Sequence, residues 1–193
     1  MDLHRNLVDP SKVLALRDLL RAGHERLVLA ESCTAGLVAA LLGQVPGISE
    51  CLCGSMVVYQ TPIKHQWLGI ASEDLNDPSL GPVSARVTEA LAKAILERTP
   101  QATVAASITG HLGPSAPANL DGVVYCSIAT RETNDHHFKS EPMSSAFTKQ
   151  FQLSENAPRD ANDLDSRRVR QHEAAIRLIE YLTVFLRDRE KSR

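Results

Sequence analysis

The chain has no surplus of either charge: 21 Lys and Arg stand against 23 Asp and Glu, a formal net charge of −2. Without a basic excess nothing advertises a nucleic-acid or lipid-surface partner. A small anion stays within reach, because one Arg and a few backbone N–H groups suffice for a phosphate. No apolar run approaches the length of a membrane span. The opening Met1-Asp2-Leu3-His4-Arg5-Asn6 lacks the apolar stretch of a signal peptide, so the expected location is the cytoplasm. Cysteine is scarce, at four residues, and in a reducing compartment Cys33, Cys51, Cys53 and Cys126 are expected as free thiols. Cys51 and Cys53 are two apart, a spacing that puts both on one face of a strand and is too short for the usual zinc pair. They are read as core thiols, with no metal. There is no internal repeat.

What is present is the composition of an ordinary globular domain. The 193 residues are 43% apolar and 23% charged, enough chain and enough apolar surface for one core, so residues 1–193 are taken as a single domain. Val13, Leu14, Leu16, Leu19 and Leu20 recur at helical spacing over residues 11–22, with Gly23 as the stop. Leu27 to Ala30 is a short buried strand, followed by a helix to about Leu42 that closes before Pro46-Gly47. Cys51–Tyr59 is rich in β-formers. Pro62 sits well at the first position of a short helix carrying Lys64 and Trp67. Residues 71–83 are loop with one helical turn, and Ser84 caps a helix to about Arg98. Ala102–Thr109 and Gly122–Thr130 are strands on either side of a Gly/Pro/Asn loop, with a partner strand near His136–Met143. Residues 144–165 are polar and are expected to form an irregular insertion. The last helix runs from Arg167 to Arg187, with Ile176, Ile179, Leu182 and Leu186 along one stripe. Strands alternating with helices predict a three-layer α/β sandwich, mostly parallel.

The residues able to carry chemistry cluster where strands end. Glu31-Ser32-Cys33-Thr34 follows the first strand and precedes a helix with Gly36 in its first turn, the edge of an α/β sheet at which ligands bind. Unpaired N–H groups at such a helix start form an anion site or oxyanion hole. The plainer reading is that Ser32 or Thr34 merely caps the helix. Lys64 follows the second strand. It can act as a base only if burial or a second cation brings its pKa far below ~10.4, and taken alone it reads as an exposed helix lysine. Tyr59 could orient such a lysine or relay a proton, though it also suits a sheet edge. His65 beside Lys64 reads more simply as a surface residue. Thr109-Gly110-His111-Leu112-Gly113-Pro114 follows the third strand and permits close backbone approach to a ligand, but is neither the dinucleotide fingerprint nor a P-loop. Of Arg167, Arg168 and Arg170, one could clamp a phosphate through paired hydrogen bonds, the other two being solvated.

Taken together these segments resemble a known family. Ala30-Glu31-Ser32-Cys33-Thr34-Ala35-Gly36 is similar to the signature AESCTGG, and Tyr59-Gln60-Thr61-Pro62-Ile63-Lys64 to YSNEAK. Gly81-Pro82-Val83-Ser84 is similar to GAVS, and Thr109-Gly110-His111-Leu112-Gly113-Pro114 to TGIAGP. The motifs, in order over roughly residues 10–130, are those of the C-terminal domain of the competence/damage-inducible protein CinA, also known as nicotinamide-nucleotide amidohydrolase. The resemblance implies a three-layer α/β/α sandwich with a mixed, mostly parallel sheet of about five strands. It also implies a homo-oligomer and no metal or other cofactor. The implied activity is hydrolysis of the carboxamide of nicotinamide mononucleotide to nicotinic acid mononucleotide and ammonia, within pyridine nucleotide recycling. The implied nucleophile falls on Ser32, the lysine on Lys64 and a supporting tyrosine on Tyr59. Oxyanion and substrate contacts fall on Cys33, Thr34, Gly36, Thr109, Gly110 and one of Arg167 and Arg170.

The sequence departs from the family pattern at defined points. The sixth signature position, glycine in the family, is Ala35. TGIAGP becomes Thr-Gly-His-Leu-Gly-Pro, the glycine-rich continuation is replaced by Ser115 to Asp121, and a longer acidic stretch stands where the family has a compact GDR turn. The nucleophile side is intact and the recognition loop is altered. The competing expectations are therefore a non-catalytic nucleotide-binding or regulatory homologue, an amidase for a different carboxamide, and, ranked last, a Cys33 thiol enzyme.

Overall fold

A computed structural model describes residues 9–131, 146–154 and 163–192. Five strands form one sheet in the order β2-β1-β3-β4-β5: β1 is Leu27–Glu31, β2 Leu52–Val57, β3 Val104–Gly110, β4 Val123–Thr130 and β5 Phe147–Gln152. β1 pairs in parallel with both β2 and β3, while β3–β4 and β4–β5 are antiparallel. Four strands thus point one way and β4 the other, which makes the sheet mixed and mostly parallel.

Alternation along the strands sorts side chains onto two faces. Leu27 and Leu29 of β1, Val104, Ala106 and Ile108 of β3, and Val124, Cys126 and Ile128 of β4 belong to one core. That core is covered by α1 (Pro10–Ala22), α2 (Leu37–Gly43) and α6 (Leu164–Lys191). Val28, Ala30, Ala105 and Ala129 face a second core under α5 (Ala85–Glu97), with α3 (Thr61–Leu68) and α4 (Ser72–Asn76) beside it. The result is a three-layer α/β/α sandwich. The chain passes from β1 to β2 on one side and from β2 across to β3 on the other. Right-handed connections running in opposite directions place α2 and α5 on opposite faces. The side chains under α5 are small, which lets the helix approach the sheet closely: Ser107 Oγ donates to Thr88 O at 2.5 Å.

Local signals explain the element ends. Asp9 caps α1 by accepting from Ser11 N, Ser84 caps α5 by accepting from Val87 N, and Pro10 and Pro62 open α1 and α3. α6 begins three residues earlier than the apolar stripe predicts, because Asp163 accepts from Ser166 N and adds a turn. Ile176 is only half-buried, and the stripe that meets the sheet is Arg170, Ala174, Ala175, Leu178, Ile179, Leu182 and Leu186.

Two expectations are corrected. Residues 144–165 are not irregular throughout: Phe147–Gln152 forms β5, pairing residue by residue with β4 from Val123↔Gln152 to Ile128↔Phe147. The edge strand is held from outside the sheet by Phe147 against Phe185 and Phe151 against Tyr181, with ring centroids 5.2 and 5.9 Å apart. The strand expected near His136–Met143 lies outside the described residues. Cys51 and Cys53 do not share a face. Cys51 ends the 3₁₀ turn Ile48–Glu50 and enters the core under α2 and α6, whereas Cys53 packs toward the α5 side. The β1–β2 register jumps between Leu27↔Leu52 and Val28↔Gly54, so Cys53 is the extra residue of a bulge. All four cysteines are free thiols.

Candidate active site

β1, β2 and β3 end side by side, and each passes a functional segment to the same edge of the sheet. Ser32 follows β1, with its N–H on Ile108 O of β3 (3.1 Å); Val58 N, past β2, donates to Glu31 O (2.8 Å). The first turn of α3 then folds Lys64 back beneath this edge. Lys64 is 2% exposed and Ser32 6%. Ser32 Oγ and Lys64 Nζ, 32 positions apart in sequence, lie 3.0 Å from one another.

The amine has two other neighbours, Val58 O at 3.0 Å and Tyr59 O at 3.4 Å. Both are carbonyls and can only accept. An uncharged amine has two N–H bonds for them and one lone pair left for the serine hydroxyl. Among the described residues no carboxylate pairs with Lys64. Loss of solvent penalises the ammonium and brings its pKa from 10.5 to about 8.

The turn carrying Ser32 is organised by Glu31, which sequence reasoning missed as a participant. Its carboxylate is fully buried. Oε2 accepts from Thr34 Oγ1 (2.8 Å), Gly36 N and Val38 N (both 3.0 Å); Oε1 accepts from Ala39 N (3.0 Å) and Ser55 Oγ (2.9 Å). The start of α2 is therefore already occupied by an internal anion. This corrects the expectation for Gly36, whose N–H serves Glu31; Thr34 gives Glu31 its hydroxyl and keeps its N–H. Ala35 N donates to Ser32 O at 3.0 Å. Neither the Cys33 nor the Thr34 N–H donates to another described residue, and these are the donors of this turn open to an oxyanion. A weak signal for Glu31 exists in the sequence, an acid between an apolar strand and a helix start, where the helix dipole favours negative charge.

The remaining candidates divide. Burial pushes the Cys33 thiol up to about 12, which leaves it a core thiol rather than a nucleophile. Thr109 is fully buried at the end of β3, its hydroxyl 2.7 Å from that of Thr88 in α5, so its side chain ties helix to sheet. Gly110 is required by packing: a Cβ there would sit 2.3 Å from Val124 Cγ1. Tyr59 meets Lys64 through its main-chain carbonyl. Its half-exposed phenol accepts from Arg167 Nη2 at 3.0 Å, and the other Arg167 nitrogen donates to Gly113 O. Arg167 thus spans the ends of β2 and of the 110–122 loop beside the site. Arg168 is exposed and pairs with Asp165.

Arg170 does not reach outward. It is 2% exposed and forks onto Asp121 at 2.8 and 3.0 Å, pinning the 110–122 loop to α6. The hydrogen bonds to Arg170 hold the Asp121 carboxyl below its usual range. Of the two arginines expected to contact a phosphate, Arg170 thus has its guanidinium committed to Asp121. His111 is partly buried in the same loop, and loss of solvent lowers its pKa against the opposing pull of Asp121. Among the described residues no group of three or more His, Cys, Asp or Glu is placed to hold a metal ion, and no helix is long and apolar enough to cross a membrane.

Comparison with known proteins places this geometry in a family. Residues 11–152 match the family model described as the CinA C-terminal domain. A CinA-like protein of Myxococcus xanthus is 37% identical over 118 residues, covering 60% of this chain and 27% of the relative. One of Nostoc sp. is 38% identical over 114 residues, covering 58% and 26%. The chain thus spans about a quarter of the length of these curated relatives. Among solved structures, the competence/damage inducible protein CihA of Agrobacterium tumefaciens superposes with a TM-score of 0.69 at 23% identity, covering 93% of this chain and 98% of that one. A competence-damaged protein (CinA) superfamily protein of Klebsiella pneumoniae gives 0.68 at 21% identity, covering 90% and 96%. These structural likenesses bear on the fold. The chain belongs to the CinA C-terminal domain family.

Proposed function

We propose that the chain is an amidohydrolase that converts nicotinamide mononucleotide to nicotinic acid mononucleotide and ammonia, with Ser32 as nucleophile and Lys64 as base. The observation that carries the reading is the buried 3.0 Å contact between Ser32 Oγ and an amine whose pKa is brought to about 8. A serine beside an uncharged lysine is a working nucleophile–base pair.

The steps follow from that pair. Lys64 Nζ takes the Ser32 hydroxyl proton as Oγ bonds to the carboxamide carbon, and the C=O π electrons move to oxygen. The Cys33 and Thr34 N–H groups meet that oxyanion. As it collapses, the C–N bond breaks, and the proton on Lys64 passes to the departing nitrogen to give ammonia and a Ser32 ester. Water then attacks the ester carbon, again losing its proton to Lys64, and the acid leaves as Ser32 Oγ regains a proton. Arg167, held at the mouth by Tyr59 and Gly113, is the residue assigned to the phosphate. Binding there exchanges a neutral phenol and a carbonyl for an anion, the stronger partner of a guanidinium.

A second reading, hydrolysis of a different carboxamide by the same pair, is favoured by the loop: His111 stands where the family motif has isoleucine, and Ser115 to Asp121, pinned by Arg170, replace the family's glycine-rich continuation. Ammonia release over a panel of nicotinamide mononucleotide, nicotinamide riboside, nicotinamide and an aliphatic carboxamide separates the two. The mononucleotide is expected to be the fastest substrate. A faster unphosphorylated amide sinks the substrate assignment, and no release from any of them sinks the enzymatic reading.

A further inference from the structure

The turn after Ser32 is held from two directions, and only one of them, the Glu31 carboxylate, belongs to the turn. The other comes from α6, 138 positions away. Gln171 Nε2 donates to Cys33 O at 3.4 Å and to Thr34 O at 3.1 Å. In a trans peptide the C=O and N–H of one unit point in opposite directions, so whatever grips the carbonyl also aims the amide hydrogen. The unit joining Ser32 and Cys33 has its carbonyl on Ala35 N. Its N–H is therefore fixed by the turn itself. The unit joining Cys33 and Thr34 has its carbonyl on Gln171, so the direction of the Thr34 N–H is fixed from α6. These are the two N–H groups of the turn that donate to no other described residue, and the first belongs to the residue after the nucleophile, where acyl-transfer enzymes place an oxyanion donor.

We propose that Gln171 is a positioning residue of the oxyanion site, holding the Cys33–Thr34 peptide from α6 so that the Thr34 N–H faces the charge that develops on the substrate. This rests on the reading of Ser32 as nucleophile. Gln171 touches neither substrate nor the Ser32–Lys64 pair; it acts through the main chain. It also lies four residues beyond Arg167, the same face of the helix one turn later. One surface of α6 thus carries both the anchor for the substrate's anion and the support for the oxyanion donors, and a shift of that helix would disturb both.

The test uses the intact chain and an alkyl fluorophosphonate, which reacts with an activated serine through an anionic transition state and needs no knowledge of the natural amide. Labelling is followed by intact mass, with the modified peptide identified. Wild type labels on Ser32 and Ser32→Ala does not. Gln171→Met keeps the shape and removes the donor; its labelling rate is expected to fall about 10- to 100-fold, part of the loss typical of a whole oxyanion donor. Gln171→Glu places acceptors against two carbonyls and is expected to fall further. The pH midpoint of labelling, set by Lys64, stays where it is in the uncharged Gln171→Met variant, and in the deamidation assay kcat falls while KM holds within about twofold, as for a contact made only in the transition state. Equal rates for glutamine, methionine and glutamate overturn the proposal, because packing alone would tolerate all three shapes. A loss accompanied by a shifted midpoint in Gln171→Met also overturns it, since no charge has changed and the Ser32–Lys64 pair itself would have moved. If wild type fails to label, both this inference and the nucleophile assignment fall. If labelling follows the expected order but no ammonia leaves nicotinamide mononucleotide, the role of Gln171 stands and the substrate assignment fails.

Discussion

Replacing Lys64 by methionine should change the protein's stability in a way that depends on pH, and the size of that dependence can be worked out. The folded-state pKa is about 8 against an ordinary value of 10.5. Below pH 8 both states hold the proton, and the cost of burying an ammonium is present in full. Between 8 and 10.5 the folded chain has released its proton while the unfolded chain still binds it, so stability rises with pH through that window. Between pH 7 and pH 10 the Lys64 contribution grows by about 2.5 kcal/mol, from the ratio of the two binding polynomials. Lys64→Met has no such group. The variant also loses the hydrogen bonds to Val58 O, Tyr59 O and Ser32 and changes packing, but those effects are the same at both pH values. They cancel when the difference between wild type and variant at pH 10 is subtracted from that at pH 7. The assay is urea unfolding of both proteins at the two pH values. With a denaturant slope of about 2–3 kcal/mol/M, the gap between midpoints should move by roughly 1 M in favour of wild type at the higher pH. A gap that stays constant within about 0.5 kcal/mol, the usual limit of additivity, would show that Lys64 titrates as a free lysine and would refute the argument.

Other consequences follow from the same structure. The acidic limb of kcat/KM should rise with pH to a plateau, with a midpoint near the Lys64 value of about 8, because only the uncharged amine accepts the serine proton; a midpoint near 6 or below would point to another base. Ala35 holds φ +52° where the family signature has glycine. Ala35→Gly removes left-handed strain at some entropic cost and should raise the melting temperature by about 1–4 °C, a gain of about 0.5–1 kcal/mol. Glu31→Gln sets an amide nitrogen against donors that now meet a carboxylate, and should lower stability by roughly 2–4 kcal/mol in urea titration while slowing turnover. Asp121→Asn removes the counter-charge of the buried Arg170 guanidinium while keeping one acceptor oxygen, and with Asp121 itself about a third exposed should cost about 1–3 kcal/mol in the same titration.

The layered fold and the site edge were legible because both depend on local pattern. Leu27 to Ala30 is an unbroken apolar run, Pro62 and Ser84 mark helix starts, and Ser32 and Lys64 each follow a strand. What was not legible depends on register or on partners distant in sequence. The offset of Cys51 and Cys53 comes from a bulge, which spacing within one strand cannot reveal. Phe147–Gln152 is polar apart from Phe147 and Phe151, which share one face of a strand but are satisfied by Phe185 and Tyr181 on a helix later in the chain. Arg170 could have been separated from Arg167 by its place on the stripe that continues through Ala174, Leu178 and Leu182. Its charge argued for the surface until Asp121 supplied the partner. Glu31 and Gln171 were missed for a related reason: their hydrogen bonds go mostly to main-chain groups, which leave no mark in the sequence.

The assignment of the chemistry to Ser32 and Lys64 is tested most directly by single-turnover ammonia release from nicotinamide mononucleotide at pH 8.5 with wild type, Ser32→Ala and Lys64→Met. Each variant is predicted to release ammonia at least about 10³-fold more slowly than wild type, the scale of loss on removing one member of a nucleophile–base set. Release within tenfold of wild type by either variant would contradict the assignment.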